Sequence, residues 1–65
     1  MGRKFNKNDI VRTTISAKAL MHGTTIPAWT SGKIIRIEKA GSFWYYTVET
    51  GFGIGTYYEF SLEVL

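Results

Sequence analysis

The run Phe43-Trp44-Tyr45-Tyr46-Thr47-Val48-Glu49-Thr50 constrains this chain more than any other segment. Aromatic and β-branched residues suit a pleated, half-buried surface and lose side-chain freedom in a helix, so the run predicts a strand. Successive side chains of a strand point to opposite faces. Trp44, Tyr46 and Val48 therefore share one face, and Phe43, Tyr45, Thr47 and Glu49 the other. The face that ends in Glu49 is the solvent side. That assigns Trp44, Tyr46 and Val48 to the core and turns Phe43 and Tyr45 outward.

The flanking sequence extends the pattern. Asp9 to Ile15 predicts a first strand and Lys33 to Lys39 a second, with Ile35 and Ile37 on its core face. Ala40-Gly41-Ser42 is a turn. Gly51-Phe52-Gly53-Ile54-Gly55 reads as a glycine-alternating turn or tight bulge that leaves Phe52 exposed. No Lys-Ser/Thr and no helix follow it, so it is not a phosphate loop. Thr56 to Glu59 predicts a fourth strand, Phe60-Ser61 a tight turn, and Leu62 to Leu65 a last strand.

Residues 16–31 form one long early loop. Ser16 and Gly23 could cap and stop a single helical turn through His22, but a helix that short is not stable alone. Pro27 lacks an amide hydrogen and does not belong in a central strand. Leu20, Met21, Ile26 and Trp29 lie in this loop, which argues that it folds back with Trp29 as its anchor. The expected fold class is all-β: a small five-stranded SH3-like barrel with one long early loop, a single domain over residues 1–65.

Chemistry is bounded by what is missing. The chain has no cysteine, which excludes a disulfide framework and a Cys-ligated zinc. His22 is the one histidine, too few for a histidine metal site, so neither a metal nor a cofactor is expected. No nucleophile elbow surrounds any serine, and the chain is not expected to be an enzyme. Glu38 and Glu49 read as solvated cross-strand charges rather than an acid–base pair. No apolar run reaches the ~18 residues of a membrane span, and no apolar segment follows the basic N-terminus as in a signal peptide.

Binding remains. A chain of 65 residues buries only about 60% of its unfolded surface, and ten aromatic residues exceed what so thin a core hides. Some of them must reach the surface, where a contiguous patch marks a binding site. By strand parity or turn position the candidates are Phe43, Tyr45, Phe52 and Tyr58, with His22 added from the long loop. The net charge of +3, with Arg3, Lys4, Lys7 and Arg12 all near the N-terminus, suits weak attraction to a polyanion as well as plain solubility.

Asn8-Asp9-Ile10-Val11 resembles the Gly-Asp-x-Val opening of bacterial SH3-type cell-wall-binding domains. His22-Gly23-Thr24-Thr25-Ile26-Pro27-Ala28-Trp29-Thr30-Ser31-Gly32-Lys33 is similar to the Thr-Gly-x-x-Ile-Pro-x-Trp-x-x-Gly-Lys stretch of one branch of that family. That branch is appended to phage endolysins and amidases of Gram-positive hosts such as clostridia and bacilli. Tyr57-Tyr58-Glu59-Phe60-Ser61-Leu62 resembles the family's last strand. Two departures stand out: Asn8 replaces Gly, and Gly55-Thr56-Tyr57 replaces a late Gly-x-Trp-Val. In the family the late Trp often borders the ligand groove, a stacking role left here to Tyr57 or Tyr58.

The resemblance implies a non-catalytic module that targets a lytic enzyme to peptidoglycan or a secondary cell-wall polymer. Its lytic domain would lie upstream. Such a chain would be made in the host cytoplasm and act at the bacterial wall, without a membrane partner. Two other readings stay open: a small β-barrel binding single-stranded nucleic acid, and a subunit of a small oligomeric SH3-like enzyme. A homo-oligomer would also complete a thin core.

Overall fold

Alternating β-branched and aromatic runs set the order of elements in the computed structural model, which describes residues 3–20 and 23–65. The strands are β1 (Ile10–Thr13), β2 (Ala17–Lys18), β3 (Thr25–Ile26), β4 (Ser31–Ala40), β5 (Phe43–Thr50), β6 (Gly53–Tyr58) and β7 (Leu62–Val64). A 3₁₀ turn, Glu59–Ser61, separates β6 from β7. Five of the strands form one antiparallel sheet in the order β6-β5-β4-β1-β7. The fold is all-β and SH3-like, with β6 and β7 at the two ends of a barrel that does not close. No helix among the described residues is long and apolar enough to cross a membrane.

Strand β5 follows its parity. Tyr46 and Val48 are fully buried, Trp44 packs partly buried against the core, and Phe43 faces solvent. They meet Phe5, Val11, Ile34, Tyr57 and Leu62 in one cluster. The Phe5 and Tyr46 rings cross edge-to-face at 5.5 Å, a favoured aromatic geometry.

Strand β4 departs from the expected pattern. Ile34, not Ile35, is fully buried, and Ile37 packs beside the core. The cause is a register shift: Ile34 pairs with Val48 but Arg36 pairs with Thr47, so Ile35 is an extra residue opposite the partner strand. A bulge of this kind breaks simple alternation and adds local twist. Ile34 and Ile37 then share the inner face although three positions separate them.

The long loop is ordered by strands, not by a helical turn. Ala17 pairs with Ile26 and Lys18 with Thr25, giving a small hairpin. The part of the expected turn at Met21 and His22 lies outside the described residues. The hairpin lies on β6 because two glycines strip that strand of side chains. A Cβ on Gly53 would sit 2.9 Å from the Ala19 Cβ, and one on Gly55 would sit 2.9 Å from the Ile26 Cδ1. The Leu20 amide donates to the Ile54 carbonyl at 2.8 Å and fixes the contact. Of the glycines read as a turn, Gly51 stays in the turn, while Gly53 and Gly55 belong to β6, where they admit the loop.

The anchor of that loop is Ile26, which is fully buried, and not Trp29, which is 62% exposed. Trp29 has φ 67, in the left-handed region that bulky residues avoid. Buried Thr13 holds the turn there. Its carbonyl accepts from the Trp29 amide at 2.8 Å, and its hydroxyl accepts from the Thr30 amide at 3.1 Å. The backbone so clamped aims the indole outward, where the Arg12 guanidinium lies 5.9 Å from its ring centre. Arg12 is itself paired with Glu63 at 3.0 Å.

Candidate functional site

One end of the β5–β6 hairpin gathers three exposed aromatics, Phe43, Tyr58 and Phe60, and half-buried Tyr45. Phe43 opens β5, and Tyr45 lies two residues on along the same face. Register places Tyr58 directly opposite Tyr45. Phe60 follows from the 3₁₀ turn. Tyr58 stacks on Phe60 at 5.3 Å with the rings 9° apart. Edge-to-face contacts join Phe43 to Tyr58 at 6.0 Å, Phe43 to Phe60 at 6.4 Å, and Tyr45 to Tyr58 at 6.1 Å. Phe43, Tyr58 and Phe60 are 57%, 48% and 72% exposed, so this connected ridge faces water. Contiguous apolar surface of this kind marks an interaction site.

Clefts flank the ridge. One, of about 280 Å³, is lined by Lys4, Ser42, Phe43, Trp44, Glu59 and Phe60. The other, of about 260 Å³, is lined by Ala40, Tyr45, Thr56, Tyr57 and Tyr58. Both are open and shallow, suited to a flat or extended ligand lying across the ridge.

Glu59 holds the ridge in place. It sits between Tyr58 and Phe60 in sequence, and its Oε2 accepts from the Tyr46 hydroxyl at 2.5 Å and from the Lys4 amide at 2.7 Å. These bonds tie the turn to the core and to the N-terminal segment. The Tyr46 hydroxyl bond is the main reason the Glu59 carboxyl is held below its ordinary range, with the Lys4 contacts adding to it. Burial, then the bond to Glu59, pushes the Tyr46 hydroxyl up. The outer face of the sheet beyond the ridge is polar: Thr47 pairs with Thr56, and Arg36 and Glu38 form an ion pair at 3.4 Å.

Of the residues singled out from sequence, Phe43, Tyr45 and Tyr58 come together here. Phe52 is exposed, but at the turn joining β5 to β6, the far end of the hairpin from the ridge. Tyr57 is a correction. It opposes Tyr46 on the inner face and is 2% exposed, so its ring is in the core and is not a surface stacking platform. Burial pushes its hydroxyl up as well, and that oxygen has no hydrogen-bond partner among the described residues. His22 lies outside the described residues.

Three contributors were missed. Phe60 was assigned to a tight turn, although it stands two residues after Tyr58 and strand alternation alone would have put both on one side. Lys4 joins the site only because the N-terminal segment returns to Glu59, a contact 55 positions apart in sequence. Trp44 lines the larger cleft from the edge of the core. Lys39 also stands here, its ammonium 5.4 Å from the centre of the Trp44 ring.

Among the described residues no group of three or more His, Cys, Asp or Glu is placed to hold a metal. What the arrangement offers is stacking surface, one cleft edged by a carboxylate and a hydroxyl, a second edged by hydroxyls alone, and a few cations. No family model, curated protein or solved structure matches the chain.

Proposed function

We propose that this chain is a non-catalytic module that binds the bacterial cell wall, peptidoglycan or a polymer attached to it, and concentrates a lytic enzyme there. The observation that carries the reading is the ridge of exposed Phe43, Tyr58 and Phe60 with half-buried Tyr45 beside them, and open clefts on both sides. Wall glycans and peptides are polar but present flat apolar faces. Aromatic rings bind such faces by stacking, while neighbouring hydroxyl and carboxylate groups supply hydrogen bonds. A module of modest affinity is useful when tethered, because linkage makes the second binding event intramolecular.

The resemblance to SH3-type wall-binding domains supports the reading in one respect that backbone geometry bears on. Asn8, which replaces the family's Gly, has φ 76. Asn is among the few residues that tolerate that region, so the replacement keeps the backbone path a glycine would take.

One observation favours a second reading. Lys4 and Lys39 stand beside the ridge, where their ammonium groups would suit the phosphates of a single-stranded nucleic acid stacked on the rings. Glu59 in the same cleft opposes a polyanion. Salt separates the two: binding built on phosphate contacts falls steeply as salt rises, and stacking does not. The test is co-sedimentation of the fluorophore-labelled chain with purified walls of clostridial and bacillus hosts, at low and at high salt. Saturable, host-restricted binding that survives salt supports wall targeting. Binding erased by salt, or none, overturns it.

A further inference from the structure

The cleft between Phe43, Trp44 and Phe60 combines three aromatic rings with a carboxylate. Ring faces are electronegative and attract cations, most strongly at Trp. The chain itself shows this attraction, since the Lys39 ammonium rests 5.4 Å from the Trp44 ring centre. Lys4, the cation among the residues lining the cleft, directs its ammonium to the Phe5 ring at 5.4 Å.

Among the described residues Glu59 is the only acidic one lining this cleft. Among the described residues both of its hydrogen bonds fall on Oε2, from the Tyr46 hydroxyl and the Lys4 backbone amide, while the Lys4 ammonium attracts it from a distance without forming an ion pair. The ion pairs formed among the described residues are Arg12–Glu63 and Arg36–Glu38. The carboxylate of Glu59 therefore brings a negative charge to an aromatic-walled cleft, and its Oε1 accepts no hydrogen bond from the described residues.

We infer that this cleft receives an aliphatic ammonium group, with Glu59 as its counter-charge, the Phe43, Trp44 and Phe60 rings as its walls, and the Ser42 hydroxyl as a polar edge. The inference rests on the wall-binding reading for the polymer and names the group on it that is recognised. Amines occur on wall polymers as free amines of peptides and as amines of ester-linked amino acids; both offer the same cation. The ridge of Tyr45 and Tyr58 would take the neutral part of the same ligand.

The test titrates the 65-residue chain with n-butylammonium chloride and, separately, with n-butanol as a neutral probe of the same shape. The Trp44 indole N–H resonance is followed by NMR and told apart from that of Trp29 with a Trp29→Phe variant. The expected result is a saturable shift with butylammonium and binding of butanol at least about fivefold weaker. Glu59→Gln and Phe60→Leu should each weaken butylammonium about three- to tenfold. If Glu59→Gln loosens the turn, Phe60→Leu carries the test, because that side chain is mostly exposed. Equal binding of the two probes, or butylammonium binding that Phe60→Leu leaves unchanged, would overturn the inference.

Wall co-sedimentation separates this inference from the reading beneath it. If butylammonium saturates the cleft and walls never bind, the wall reading falls and the ammonium site stands. If walls bind and acetylating their amines changes nothing, the ammonium site falls and the wall reading stands. Loss of binding after mild alkali assigns the ester-linked amine. Loss only after acetylation assigns the peptide amine.

Discussion

Replacing Gly32 by alanine should destabilise the barrel far more than one methyl group suggests. Gly32 lies in β4, opposite Val11 of β1. A Cβ there would stand 2.6 Å from the Glu49 carbonyl oxygen, 2.7 Å from the Val48 Cγ1 and 2.8 Å from the Thr50 Cγ2. The first of these is backbone within the β4–β5 ladder, and Val48 is a fully buried core residue, so no flexible side-chain tip can yield. Overpacking of this kind costs roughly 1–3 kcal/mol, and an obstructed backbone puts it at about 3 kcal/mol. A domain of this length has a total stability of roughly 3–10 kcal/mol. At about 4–8 °C per kcal/mol, the melting temperature should fall by about 12–24 °C. Gly51→Ala is the matched control: nothing lies within 4 Å of a Cβ there, and its φ is not in the left-handed region. It should leave stability unchanged or raise it by up to about 1 kcal/mol. Thermal unfolding followed by circular dichroism reads both. A Gly32→Ala protein melting within about 3 °C of the parent would refute the packing of β4 against β5 described above.

Tyr46→Phe removes the hydroxyl that donates to Glu59 and accepts from the Phe5 amide; it should cost about 1–3 kcal/mol in urea unfolding. Urea midpoints against pH give a second readout of the same bond. The Glu59 carboxyl is lowered in the folded state, so its contribution is full above the ordinary value of 4.5 and is lost as pH falls through the lowered one. The Tyr46 hydroxyl is raised, so its contribution is full below 10.0 and is lost as pH climbs through the raised value. In Tyr46→Phe the acid limb should shrink, and the alkaline limb should keep only the part due to buried Tyr57; unchanged limbs would refute the pairing. Trp29→Asn should hold stability within about 1 kcal/mol, since relief of the left-handed backbone offsets the lost contact with Arg12, whereas Trp29→Val should lose about 1–2 kcal/mol. Phe60→Ser should cost no more than about 1.5 kcal/mol in unfolding free energy, the worth of its exposed contacts with Tyr58 and Phe43, yet weaken wall binding.

The parity of β5 was legible because its side chains alternate cleanly and one face ends in a charge. The same reasoning failed one strand earlier. A bulge leaves no composition signal in Lys33 to Lys39, and the extra residue at Ile35 moved the core position to Ile34. Gly53 and Gly55 were visible as glycines, but their purpose depends on Ala19 and Ile26 arriving from more than 25 positions away in sequence. No local pattern encodes such an approach. Tyr57 and Tyr58 are adjacent aromatics whose faces depend on strand register, so the sequence alone left both as candidates for stacking. The register with β5 separates them, one to the core and one to the ridge. Trp29 inverted the usual burial preference of tryptophan because its side-chain direction is set by the hydrogen bonds that the Trp29 and Thr30 amides donate to Thr13, not by its own hydrophobicity. For the site, the aromatic surplus announced a surface patch, and parity found Phe43, Tyr45 and Tyr58. Phe60 and Lys4 needed the 3₁₀ turn and the return of the N-terminal segment to Glu59.

The most direct test of wall targeting compares two exposed aromatics at opposite ends of one hairpin, Tyr58 on the ridge and Phe52 at the turn. Labelled parent, Tyr58→Ala and Phe52→Ala proteins would be sedimented with purified Gram-positive walls at high salt, and their dissociation constants compared. The expected result is saturable binding by the parent, equal binding by Phe52→Ala, and a loss of about tenfold or more for Tyr58→Ala, as for an aromatic at the centre of an interface. Absence of saturable binding by the parent, or equal losses in the two variants, would contradict a wall-binding role for the ridge.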